Sequence, residues 1–249
     1  MNFRHRSYQQ ELLDRDDIPF ADIRRNMQEL DFINTWLGGH AITLAGLKQL
    51  AGGRQSISVC EVGCGGGDNL VAIRQWCEKK GMAASFIGID KNPDCIKVAQ
   101  ERKLRGCTWI TADYKDVELE HKPDIIFSSL FCHHFPEREL ITQLQWMYRH
   151  AQRGFFINDL HRHPLAYYSI QWLTRLFSKS YLVKNDAPLS VARGFVKNDW
   201  EQLFDSAGIT TFSVEWKWAF RWLVVVERQS AIGNRESLAS KGRRARSSQ

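Results

Sequence analysis

Apolar positions follow two different periods along this chain. Short, nearly unbroken apolar runs at 57–62, 85–90, 107–112, 123–129 and 153–159 read as strands buried on both faces. Between them, residues 69–80, 93–103 and 137–150 carry apolar side chains at helical spacing, as in Leu70, Ile73, Trp76 and Cys77. This strand–helix rhythm predicts a doubly wound parallel sheet with helices on both faces. Tyr8 to Ala51, ahead of the first strand, reads as helical: Pro19 suits a first turn, and Ile23, Met27, Leu30, Ile33 and Leu37 recur at spacings of three or four. Gly38-Gly39 breaks that pattern, and a second helix from Ala41 to Leu50 ends at Gly52-Gly53. After the fifth strand come an apolar helix at Pro164–Phe177 and a short one at Asn198–Ala207, ended by Gly208. Two β-rich runs, 209–217 and 220–228, are close enough to pair as an antiparallel hairpin. The expected organisation is a helical cap over 1–54, a main domain over 55–229 with a helical insertion at about 161–198, and a tail over 230–249.

The first strand breaks into Val62-Gly63-Cys64-Gly65-Gly66-Gly67-Asp68 and then into a helix. Glycines let backbone approach a ligand where a Cβ would clash, and the helix N-terminus points at the same spot. The second strand ends in Asp90, where a carboxylate can accept both hydroxyls of a ribose; it can also serve the helix start at Asn92-Pro93. The chain therefore reads as built for an adenosine-type cofactor. A dinucleotide fingerprint needs a third glycine where this chain has Asp68, and a pyrophosphate would be repelled by Glu61 and Asp68. A ligand carrying an ammonium and a sulfonium would not.

The run E-x-G-x-G-x-G from Glu61 to Gly67, with Asp90, resembles the first motifs of class I S-adenosylmethionine-dependent methyltransferases. Phe195 to Ile209 resembles the F-x-x-x-W-x-x-L-x-x-x-A-G segment that precedes the sixth strand in that family. The resemblance spans about residues 55 to 229 and implies an α/β fold: a seven-stranded Rossmann-like methyltransferase sheet, parallel with a C-terminal antiparallel hairpin, under an N-terminal helical cap. It implies that Glu61, Gly63, Cys64, Gly65, Gly67 and Asp68 cradle S-adenosylmethionine, with S-adenosylhomocysteine as product. Asp90 would hold the ribose and Lys91 flank the adenine. Asp113 would meet the adenine amino group, with Tyr114 beside the ring, although Asp113 also reads as a solvated loop acid. Ser129 and Leu130, ending the fourth strand, would meet the methionine part.

Where amino-group methylases of this family carry N/D-P-P-Y/F, this chain has Ser-Ser-Leu-Phe, which argues against a nucleic-acid substrate. Catechol-type enzymes place their metal on an Asp here and an Asp-Asn after the fifth strand; the matching residues are Ser and Asn158-Asp159, so no catalytic metal is expected. Cys132-His133-His134-Phe135 resembles the same loop in quinone-biosynthesis and related small-molecule methyltransferases, where one histidine faces the active site; packing of the strand–helix turn is the alternative. Asn158 to Pro164 closes the fifth strand at the rim of the substrate crevice. Histidine titrates near neutral pH, so His161 is the first candidate base, His134 the second, with His133 beside it. Tyr167, Tyr168, Trp172, Leu173 and Phe177 suit either a cover over an apolar, aromatic acceptor or a membrane-surface helix with Arg175 and Lys179. The resulting expectation is O-methylation of a phenol, polyketide or quinone precursor. C-methylation of a quinone ring, a non-catalytic cofactor-binding protein, an NAD-dependent reductase and RNA methylation are the alternatives.

Composition changes this picture little. The net charge of +6 is concentrated after Ser230, where Arg235, Lys241, Arg243, Arg244 and Arg246 face Glu236 alone, and a disordered basic tail is expected there. The six cysteines at 60, 64, 77, 95, 107 and 132 show no C-x-x-C spacing and read as reduced thiols. No apolar run reaches about 18 residues, and the start of the chain lacks a signal-peptide core, so a cytoplasmic protein is expected.

Overall fold

The computed structural model describes residues 3–228, so the tail expected over 230–249 lies outside the described residues. Seven strands form one sheet in the order β3-β2-β1-β4-β5-β7-β6. They are β1 (Ser56–Val62), β2 (Ala83–Asp90), β3 (Cys107–Thr111), β4 (Ile125–Ser129), β5 (Gly154–Leu160), β6 (Ser213–Lys217) and β7 (Arg221–Glu227). The first five are parallel, β7 runs antiparallel to β5, and β6 runs antiparallel to β7. Two helices, α1 (Phe20–Trp36) and α2 (Gly39–Ala51), precede the sheet. Helices α3 (Asp68–Lys79), α4 (Pro93–Glu101) and α5 (Glu137–His150) connect its strands. Between β5 and β6 lie α6 (Pro164–Phe177), α7 (Tyr181–Arg193) and α8 (Lys197–Ala207).

Alternate residues of each strand serve opposite layers, as a period of two requires. Val59, Phe127 and Phe156 pack with Ile42, Leu47, Leu70 and Ile73 of α2 and α3. Cys60, Ile126 and Phe155 pack on the other face with Leu144, Met147 and Trp200 of α5 and α8. Both layers are fully buried, which explains why the strands read as continuous apolar runs. All six cysteines are free thiols.

Two expectations need correction. Residues 3–19 are not helical apart from one short turn at Leu12–Asp14, because Pro19 caps α1 in an extended conformation. This segment forms a strap across the end of the sheet, held by charged side chains described below. The run at 209–217 contributes a strand only from Ser213; Phe212 instead stacks on Phe204 of α8, with ring centroids 4.3 Å apart. The helical insertion contains α7, which carries Pro188 inside it and has no strong apolar stripe to announce it.

Gly154 starts β5 at a φ of 148°, and a Cβ there would lie 2.1 Å from the Val226 carbonyl oxygen of β7. Gly154→Ala is therefore expected to destabilise the fold by roughly 2–3 kcal/mol, read as a lower urea midpoint with an unchanged slope.

Candidate functional site

A cavity of about 1040 Å³ opens at the carboxyl ends of β1, β2, β4 and β5. Ligands of open α/β sheets bind at this edge because the loops there are free to diverge. Its floor is the glycine turn. Gly63, Gly65 and Gly67 all have positive φ. The Gly63 and Cys64 N–H groups both donate to the Ile89 carbonyl, at 2.8 and 3.0 Å, and Gly67 N–H donates to the Cys64 carbonyl at 2.8 Å. Gly65 N–H donates to Asp90 Oδ2 at 2.9 Å. The turn thus spends these donors on itself, which leaves a poor cradle for phosphate.

Acids surround it instead. Glu61 is 1% exposed; its Oε1 accepts from Asn69 at 2.9 Å, while its Oε2 has no partner. Burial, with Asp68 adding repulsion, pushes the Glu61 carboxyl well above its usual range. A ligand cation at that oxygen would relieve the cost of an unpaired buried acceptor. Asp68 takes hydrogen bonds from Asn34 at 3.0 Å and His40 at 2.8 Å. Burial raises the Asp68 carboxyl, but His40 and Asn34 outweigh it and hold the group below the usual range. Asp90 Oδ1 accepts from Asn92 N–H at 2.9 Å, so each of its oxygens keeps a lone pair for a ligand hydroxyl.

The opposite wall is built by the N-terminal strap. Asp186 of α7 accepts from the Leu12 and Leu13 N–H groups at 2.9 and 3.0 Å. Arg6 donates to the Arg193, His133 and Phe135 carbonyls. This fastening brings Glu11 and Asp14 to the two histidines after β4. His133 Nδ1 lies 2.8 Å from Asp159 Oδ1, and its Nε2 lies 3.5 Å from Glu11 Oε1. Burial alone would lower the His133 imidazolium, but the two carboxylates hold it up at about 9. His133 is therefore a buried cation at neutral pH. His134 is less buried: Nδ1 lies 3.2 Å from Asp14 Oδ1 and Nε2 lies 3.7 Å from Glu11 Oε2.

Of the residues expected at the site, Glu61, Gly63, Cys64, Gly65, Asp68, Asp90, Lys91, Ser129, Leu130, His133 and His134 line the cavity. Four do not. Gly67 lies behind the turn, where a Cβ would meet the Trp109 ring at 2.5 Å. Asp113 is exposed and caps a short helical turn by accepting from Lys115 N–H at 3.0 Å. Tyr114 is buried in the core, edge-on to Trp146. His161 packs among Trp222, Phe220 and His163, and burial pushes its imidazolium down to about 4. His161, the first-choice base, is thus not among the residues that line the cavity, although Leu160 before it and Phe220 against it are.

Sequence reasoning missed Glu11, Asp14, Asn69 and Arg193. Arg193 donates to the Gln9, His133 and His134 carbonyls and lies 3.8 Å from Glu11. Only Asn69 carried a signal, being the residue that follows the glycine turn. Two groups have donor types that a divalent cation takes, Glu11 with His133 and His134, and Asp31 with His40 and Asp68. In each a guanidinium already lies against a carboxylate, Arg193 at 3.8 Å from Glu11 and Arg102 at 2.9 Å from Asp31.

Residues 59–154 match the family model described as a methyltransferase domain. Among solved structures, the plantazolicin methyltransferase BpumL in complex with SAH aligns with a TM-score of 0.63 at 18% identity, over 87% of this chain and 91% of that one. Human N-acetylserotonin methyltransferase in complex with SAM aligns with a TM-score of 0.60 at 16% identity, over 86% of this chain and 57% of that one. Magnesium protoporphyrin IX methyltransferase from Synechocystis PCC 6803, with bound SAM, gives a TM-score of 0.53 at 14% identity, over 86% of this chain and 100% of that one. No curated protein matches the sequence.

The raised pKa of His133 sets the sign of a pH effect. A group held above its unfolded value stabilises the fold fully below about 6.5 and loses that contribution as pH rises through about 9. Chemical denaturation is expected to show stability falling between pH 7 and 10. His133→Gln should be less stable at pH 7 and should decline less steeply over that interval.

Proposed function

We propose that this chain, which carries a methyltransferase domain on the class I methyltransferase fold, methylates the oxygen of a small hydrophobic phenol, polyketide or quinone precursor. S-adenosylmethionine, when bound, supplies a methyl carbon already made electrophilic by its sulfonium and leaves as S-adenosylhomocysteine. The observation that carries the reading is the cavity itself. Its lining presents the partnerless Glu61 Oε2 and Asp90 together with His134, which lies between Asp14 and Glu11. In this reading Glu61 takes the donor's ammonium and Asp90 its ribose hydroxyls, over the turn at Gly63, Cys64 and Gly65, all of which line the cavity. The acid-rich, internally bonded turn disfavours the pyrophosphate of a reductase's cofactor.

The remaining wall is apolar: Leu30, Ile33, Leu37, Ile170, Leu173 and Phe220 line it. Such a lining excludes water and takes a ring or alkyl chain. Positioning the acceptor supplies much of the rate enhancement, and a base is needed only for an acceptor that carries a proton. Asp14 at Nδ1 orients the His134 ring, which then takes the hydroxyl proton at Nε2. The similar enzymes of known structure are named for acceptors of several kinds, so the choice of acceptor rests on this chain's own lining.

The reading is tested by calorimetry with S-adenosylmethionine and, separately, NADH. S-adenosylmethionine should bind and NADH should not, and Asp90→Ala should abolish the binding. NADH binding in place of S-adenosylmethionine would overturn the proposal. In a screen of apolar phenols, His134→Ala should retain cofactor affinity while kcat falls by about 10²–10⁴-fold, with partial recovery at high pH where the acceptor ionises unaided. His161→Ala should keep kcat within a few-fold. Equal loss in both variants would remove His134 from the role of base.

A further inference from the structure

Helix α6 has an outer face that is largely uncovered among the described residues, Phe3 alone meeting it edge-on at Tyr168 with ring centroids 6.3 Å apart. Leu165, Tyr168, Trp172 and Leu176 recur at spacings of three and four and are exposed, with Phe177 at the helix end. Trp172 is 63%, Leu176 69% and Phe177 77% exposed. A large apolar surface of this kind on a water-soluble face marks an interaction site. Its place in the fold is specific. The inner side of the same helix contributes Ala166, Ser169, Ile170 and Leu173 to the cavity wall. Leu37 and Trp218 line that cavity too, and Trp218 itself and Trp36, next to Leu37, are 69% and 70% exposed. The exposed aromatics therefore belong to the elements that frame the cavity.

Charge narrows the choice of occupant. The stretch 164–184 contains Arg175, Lys179 and Lys184 and not one Asp or Glu. The acids on neighbouring elements are engaged: Glu29 of α1 accepts from the Ser178 hydroxyl and from the Lys179 and Ser180 N–H groups, the latter two at 3.0 Å, Asp31 lies 2.9 Å from Arg102, and Glu215 lies 2.7 Å from Lys217. Tryptophan and tyrosine have an apolar body and a polar tip, which suits the headgroup level of a bilayer, and flanking cations suit anionic lipid. A second copy of this chain would set these cations against themselves.

We propose that α6, with Trp36 and Trp218, docks the enzyme on the surface of an anionic lipid bilayer and turns the cavity opening toward it. A hydrophobic acceptor dissolved in the membrane then reaches His134 without crossing water. This deepens the functional reading above, since it names where that acceptor resides, and rests on it for the acceptor's hydrophobic character. The helix lies on the surface rather than spanning it; no helix among the described residues is long and apolar enough to cross a membrane.

The test is flotation of the full chain with vesicles of phosphatidylcholine containing phosphatidylglycerol, and with phosphatidylcholine alone. The chain should float with the anionic vesicles and much less with the neutral ones. The double variant Trp172→Glu/Leu176→Glu should bind anionic vesicles at least about tenfold less, with its circular dichroism and S-adenosylmethionine affinity unchanged. Arg175→Glu/Lys179→Glu should weaken binding in a salt-dependent way. A wild type that ignores both vesicle types, or a Trp172→Glu/Leu176→Glu variant that still floats, overturns the proposal. A wild-type dimer dispersed by the same double substitution, without flotation, assigns the face to a second copy instead. Vesicle binding without S-adenosylmethionine binding defeats the functional reading alone; the reverse result defeats the docking alone.

Discussion

A carboxylate taken out of water must find a cation or give up its charge. The carboxyl ends of these strands gather Glu61, Asp68, Asp90 and Asp159, and the strap adds Glu11 and Asp14. Much of the site's architecture follows from how each one is settled. Asp159 and Glu11 are settled by sharing His133, which ties the strap to β5 through one imidazolium. Burial alone would raise both carboxyls, but the histidines keep each below its usual range. Asp68 is settled by His40 and Asn34, which ties α1 and α2 to the start of α3. Asp90 meets only the Gly65 and Asn92 N–H groups, and burial raises its carboxyl, while Glu61 has a single neutral amide, from Asn69, and an oxygen left over. The unpaired acid faces the cavity where a cationic ligand has to sit.

The same accounting separates two kinds of glycine turn that look alike in sequence. A phosphate-binding turn keeps its N–H groups pointing at the ligand. Here Gly63, Cys64, Gly65 and Gly67 direct theirs to Ile89, Asp90 and Cys64. The glycines serve close approach of side chains: Phe131 lies against Gly63 and Trp109 against Gly67, each nearer than a Cβ would allow. The turn is thereby rigid before any ligand arrives, and pre-organisation of this kind spares a binding site the entropy of ordering it.

The middle of the sheet was legible because β1, β4 and β5 are buried on both faces, so the apolar runs at 57–62, 123–129 and 153–159 needed no tertiary context. The glycine turn and Asp90 were legible for a related reason: their chemistry is local to one strand–turn–helix unit. The strap was not. The helical reading extended the periodicity that starts at Ile23 back to Tyr8, but what fixes the strap is Asp186 and Arg193, more than 170 residues away in the chain. His161 misled for the opposite reason. Its place after β5 is the right one, yet the strand turns it toward Trp222 and away from the cavity. Asp113 and Tyr114 show the same limit, since a strand end fixes position along the sheet but not which way a side chain faces.

Helix α6 belongs both to the cavity wall and to the exposed surface. A helix used only as a cavity wall would carry one apolar stripe and a polar back. This one is apolar on both sides, with Ile170 and Leu173 inward and Leu165, Trp172 and Leu176 outward. Leaving those outer side chains in water forfeits the stabilisation that burial would give each of them. The core gains nothing from them, because Ala166 and Thr174 already make the buried contact. No described part of the chain buries them, and the docking proposed above gives them a bilayer surface to be buried in. The wall of the cavity and its approach from outside are built from a single helix.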